Sequence, residues 1–66
     1  MLFKVVWLDD ECAEVGEDVF NKQNMGAAIR AAALRIRNSY HLCPNSTYGF
    51  YVSWWDETDK ALHQRT

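Results

Sequence analysis

The stretch Asn24 to Tyr40, NMGAAIRAAALRIRNSY, constrains the fold more than any other part of this 66-residue chain. Asn24 can cap a first helical turn by accepting from backbone N–H groups that have no partner further back. Met25, Ile29, Ala32, Ile36 and Tyr40 then recur at spacings of four, three, four and four, which draws one apolar stripe down a helix. The alanines at 27, 28, 31, 32 and 33 are the strongest helix formers available. Such a stripe must be buried against another element to be stable. The apolar runs on either side of the helix are the only material for that cover.

Leu2 to Leu8 reads as a strand, with Phe3, Val5 and Trp7 on one face and Leu2, Lys4, Val6 and Leu8 on the other. Apolar residues on both faces point to a central, or at least well-covered, strand. Tyr48 to Trp55 is the second clear strand: Phe50, Val52 and Trp54 share one face, and Gly49, Tyr51, Ser53 and Trp55 the other. Asp9 to Phe20 carries two periodicities at once. Cys12, Val15 and Val19 have helical spacing, Ala13, Val15, Glu17 and Val19 alternate as a strand, and Gly16 weakens both. A loop and a strand forming a hairpin with the first is the better reading, because a three-stranded sheet is what one helix can cover. The expected fold is one small α+β domain over residues 1–66, a sheet of two or three strands under a central helix in the order β-β-α-β. Asp56 to Asp59 reads as a solvated turn, and Lys60 to Thr66 as a short helical turn.

Composition narrows the class. Forty-eight per cent of the residues are apolar, and three Trp, three Tyr and three Phe supply large buried areas, which disfavours disorder. No run of about eighteen apolar residues is present, and the first apolar run is too short for a signal-peptide core. With two cysteines, too few for a disulfide framework, the expectation is a cytoplasmic chain with reduced thiols, neither disulfide-linked nor metal-bound. Asn45-Ser46-Thr47 matches a glycosylation sequon and, without a secretory route, reads as chance. The net charge of −2 hides a polarity: residues 1–20 carry −5, residues 21–42 carry +4 and residues 43–66 carry −1. That segregation bears on partners rather than on fold.

Catalytic constellations are weak. Cys12, His41, Cys43 and His63 could supply four zinc ligands, but the one-residue gap between His41 and Cys43 and the distant single partners do not fit compact zinc sites. The same residues allow a Cys–His pair with no glycine-rich elbow beside it. Gly16, Gly26 and Gly49 stand alone, so no phosphate-cradling loop forms. Val5 to Glu11, VVWLDDE, resembles the first strand and acidic pair of response-regulator receiver domains, which would imply a magnesium site. A receiver needs roughly twice this length, and no later acceptor-Asp strand follows. No enzyme, cofactor or metal is expected.

Two binding readings remain. Arg30, Arg35 and Arg37 on the helix, with strand aromatics, would suit nucleic acid, though the acids Asp56, Glu57 and Asp59 beside those rings repel phosphates. The favoured reading is a protein partner with a basic surface, met by Asp9, Asp10, Glu11, Leu34, Tyr51, Trp55, Asp56 and Glu57. Aromatic residues are enriched at interface centres. If the two clear strands run antiparallel, the two acid groups fall at opposite ends; if parallel, both gather at one end beside Trp55. Leu34 with Ala27 and Ala31 offers a second helix face on which two copies could meet.

In the order of its elements, Phe3–Leu8, a short acidic segment, Asn24–Ser39 and Tyr48–Trp55, the chain resembles small phage-encoded proteins that disable host machinery, such as inhibitors of bacterial RNA polymerase and anti-CRISPR proteins. The resemblance implies a non-enzymatic inhibitor that works by docking. It rests on architecture and assigns no residue a role.

Overall fold

The computed structural model describes residues 1–54. They form β1 (Leu2–Leu8), β2 (Glu14–Asn21), α1 (Met25–Asn38), a single 3-10 turn at Tyr40–Leu42, and β3 (Gly49–Trp54). This is the small α+β fold in β-β-α-β order expected from the sequence. The sheet order is β2-β1-β3, and β1 pairs antiparallel with both neighbours. The strand with apolar residues on both faces is therefore the central one: Phe3, Val5, Val6 and Trp7 are all fully buried.

That topology decides between two arrangements that the sequence leaves open. β1 and β3 run antiparallel, Phe3 opposite Trp54 and Leu8 opposite Gly49, so the parallel arrangement that would gather both acid groups at one end does not occur. The parallel strands are instead β2 and β3, one on each side of β1, and α1 makes the crossover between them. The chain leaves β3 beside Phe3, at the end of the sheet away from Asp9. Trp55, Asp56 and Glu57, together with the turn and short helix expected after them, lie outside the described residues.

β2 explains why its sequence was ambiguous. Its register with β1 holds from Leu2–Asn21 to Trp7–Gly16 and then shifts, with Leu8 facing Glu14. Val15 is the extra residue of a β-bulge. The bulge breaks the alternation, leaving Val15 and Gly16 towards α1 and putting Glu14 and Glu17 on the opposite face. A Cβ added to Gly16 would stand 2.7 Å from Pro44 Cγ, so glycine is required by a close approach of the loop that precedes β3.

α1 begins as its sequence dictates: the Asn24 side chain accepts from Ala27 N–H at 2.8 Å. Arg35 and Arg37 occupy its last turn, where cations complement the helix dipole. Its buried face is not the expected stripe. Ala28 and Ala32 are fully buried, while Ile29 is 45% exposed. Ala32 and Ile36 do join the core with Val5, Trp7, Phe20, Phe50 and Val52. The helix turns its smallest side chains to the sheet, which lets its backbone lie close over Val5 and the bulky Trp7. Tyr40 lies beyond the helix end, and its hydroxyl donates to the Thr47 carbonyl at 3.0 Å.

Candidate functional site

The helix covers one face of the sheet, and the site residues fall on the other. On that open face the cross-strand rows read Gly49–Leu8–Glu14, Tyr51–Val6–Glu17 and Ser53–Lys4–Val19. Tyr51 is 46% exposed, and its hydroxyl donates to Glu14 Oε1 at 3.2 Å. Desolvation first, then that hydrogen bond and the Glu14 charge, hold the Tyr51 phenol above its ordinary pKa. The ring is thereby kept as a donor and fixed by a carboxylate. Lys4 Nζ pairs with Glu17 Oε2 at 3.2 Å in a solvated contact worth little to stability.

The acidic turn sits at the end of this face. Asp9 closes it: its N–H donates to the Ala13 carbonyl, and its Oδ1 accepts from Glu11 N–H and Ala13 N–H, all at 2.9 Å. Cys12 takes a φ of 63°, in the left-handed region that the tight turn needs. Asp9 is thus committed to the turn, whereas Asp10 and Glu11 are exposed and have no side-chain partner among the described residues. Sequence reasoning named Asp9, Asp10, Glu11 and Tyr51 but missed Glu14 and Glu17. Three residues apart on a strand should place them on opposite faces, and only the bulge at Val15 unites them. The signal available was Gly16, a residue that marks bulges and close approaches inside strand patterns.

The other candidates separate. Leu34 is 48% exposed on the outer side of α1 and borders a shallow depression it shares with Leu42, itself 59% exposed. Ala31 packs against the core and Ala27 is half-buried, so the small-residue helix face lies partly under the fold. Arg30 and Arg37 are exposed. Arg35 is not available in the same way. Its guanidinium donates to Asp18 Oδ2 at 3.2 Å and lies 4.6 Å from the Phe20 ring centroid. The same Asp18 oxygen accepts from the Trp7 indole N–H at 2.9 Å. This network ties the helix to the edge of the sheet, and Arg35 meets Asp18 in a partly exposed ion pair.

Cys12 and Cys43 are free thiols, the first exposed and the second half-buried near Arg35 and Asp18. Burial pushes the Cys43 thiol above its ordinary value, against the opposing pull of Arg35. No cluster of three or more metal-ligating side chains is present among the described residues. No described helix is long and apolar enough to cross a membrane. Comparison with protein families, curated proteins and solved structures found no match.

Proposed function

We propose that this chain is a non-enzymatic binding module whose open sheet face docks on a basic surface of another protein. The observation that carries the reading is the composition of that face: Tyr51, held by Glu14, shares a cross-strand row with Val6 and Glu17, and the acidic turn with Asp10 and Glu11 follows at the end of β1. An aromatic centre with a charged rim is the anatomy of a protein interface. The carboxylates steer the encounter, and the ring sets the lifetime of the complex. Trp55, Asp56 and Glu57 stay in the proposal from the sequence alone. The setting that fits is the cytoplasm, and the mode of action that fits is occlusion, as in the phage-encoded inhibitors that the element order resembles. The loss of Arg35 to an internal ion pair weakens the nucleic-acid alternative, which keeps only Arg30, Arg37 and Lys22 on the helix side.

The test begins with the immobilised chain, a captured and identified partner, and interferometry with that partner at low and high salt. Tyr51→Ala should weaken binding by about 2 kcal/mol, roughly thirtyfold, through faster dissociation. Asp10→Lys and Glu14→Lys should slow association and flatten its salt dependence. Arg30→Ala and Arg37→Ala should leave binding unchanged. The reverse pattern, with binding lost in the arginine variants and kept in the open-face variants, would remove the proposal.

A further inference from the structure

The two edges of the sheet are not alike. β2, one outer strand, carries Glu14, Glu17 and Asp18 and is bent by the bulge at Val15. Inserted charges and bulges are the devices by which proteins keep an edge from pairing with another chain. β3, the other outer strand, has none of them. Tyr48 to Trp54, YGFYVSW, contains no charged residue and no proline, is rich in strand-forming aromatics, and pairs with β1 on one side alone among the described residues. In an antiparallel ladder every second residue of such a strand turns its N–H and C=O outward, ready for a further strand.

We infer that β3 is a self-association edge, on which a second copy of this chain adds its own β3 antiparallel across a twofold axis. The occupant follows from the sequence of the strand. Antiparallel pairing keeps like faces together, so the register must match residues of the same parity. With Tyr51 on the axis, Phe50 meets Val52 of the other copy and Gly49 meets Ser53, which sets Trp54, at the end of β3, beside the start of the other copy's strand. Trp54 is 55% exposed in one copy and Tyr48, just before β3, is 77% exposed, and the pairing brings these two ends of the strands together. Aromatic pairs across neighbouring strands are among the stabilising contacts of sheets. No charge opposes a like charge anywhere along this edge. Two copies of β2 would instead set acids against acids. The product is a six-stranded sheet, β2-β1-β3-β3-β1-β2, with both helices on one face and the two Tyr51 rings side by side at the middle of the other.

This inference does not rest on the binding reading, and its test needs no partner. Sedimentation equilibrium of the full chain over a wide concentration range should reach twice the monomer mass of 7.7 kDa. Tyr51→Lys places like charges on the axis, while within one copy the new ammonium stands near Glu14 and Glu17; it should return the mass to that of the monomer with the melting curve retained. Leu34→Lys, on the outer side of the helix, should leave the dimer intact. As a second measurement, Tyr51→Cys in a Cys12→Ser background should form an intermolecular disulfide under mild oxidation, because residues facing each other across an antiparallel pair have Cα atoms about 4.5–5.5 Å apart. A parent chain that stays monomeric at every concentration overturns the inference. So does a dimer that Tyr51→Lys leaves whole and Leu34→Lys dissolves, since association would then run through the helix.

Discussion

Replacing Gly16 by alanine adds one methyl group where β2 passes close to the loop before β3. The new Cβ would stand 2.7 Å from Pro44 Cγ, 3.5 Å from Pro44 Cβ and 3.9 Å from Trp7 Cδ1. Carbon atoms prefer separations of about 3.5–4.0 Å, so the first contact is short by roughly 1 Å. A proline ring cannot rotate away. The loop behind it is pinned as well, because the Pro44 carbonyl accepts from both the Thr47 hydroxyl at 2.6 Å and the Thr47 N–H at 3.2 Å. On the other side Gly16 is held in register opposite Trp7, which is fully buried. Overpacking of this kind costs about 1–3 kcal/mol. Removing a glycine from a strand returns about 0.5–1 kcal/mol of chain entropy. The net expectation is a loss of about 1–2 kcal/mol, or roughly 5–15 °C in melting temperature for a domain of this size. Urea unfolding followed by tryptophan fluorescence measures it. Pro44→Ala in the Gly16→Ala background should recover part of the loss, with a coupling of at least about 0.5 kcal/mol. A Gly16→Ala variant as stable as the parent would refute the close approach, and additive effects of the two substitutions would locate the strain elsewhere.

Three further outcomes are expected. Asp18→Ala should cost about 1–3 kcal/mol by stranding the buried Trp7 indole N–H, and Arg35→Ala distinctly less because that bridge is partly solvated; equal losses in urea melts would contradict the arrangement. Ile29→Ala should cost less than about 1 kcal/mol, whereas Ala32→Leu should cost about 1–3 kcal/mol by forcing helix and sheet apart; the reverse order would restore the stripe read from periodicity. Cys12 should react readily with a thiol reagent and Cys43 slowly. A thiol whose pKa is raised on folding binds its proton more tightly in the native state, so the Cys43 contribution is complete below the ordinary thiol range and is lost as pH rises through the folded value. Stability should fall on that alkaline limb, and Cys43→Ser should flatten it.

The elements were legible where composition and period agreed. β1 announced its central place by being apolar on both faces, and α1 announced its start by Asn24. The rotation of α1 was not legible, because hydropathy ranks isoleucine above alanine while close packing over Trp7 rewards the smaller residue. Ile29 was therefore read as core and Ala28 passed over. β2 was obscured by its own bulge, which scrambles the alternation that reveals strands and also hid Glu14 and Glu17. Arg35 illustrates a different blindness. Nothing local distinguishes it from Arg30 and Arg37, and only the packing of α1 on the sheet brings its side chain within reach of Asp18 on β2. The direction of β3 depended on which strand the crossover joined, and short segments carry no mark of that.

The position of β1 between its two partners also sets an order of assembly. The β1–β2 hairpin closes through a tight turn and is a microsecond event. β3 is separated from β1 by the whole of α1 and the loop after it, so its pairing carries the loop-closure cost that slows folding. Until it arrives, Val5 and Trp7 have a neighbour on one side only, and the uncharged strand Tyr48–Trp54 is itself without a mate. The last strand to dock is thus also the stickiest, and the interval before it docks is when a growing or stressed chain is most exposed to aggregation.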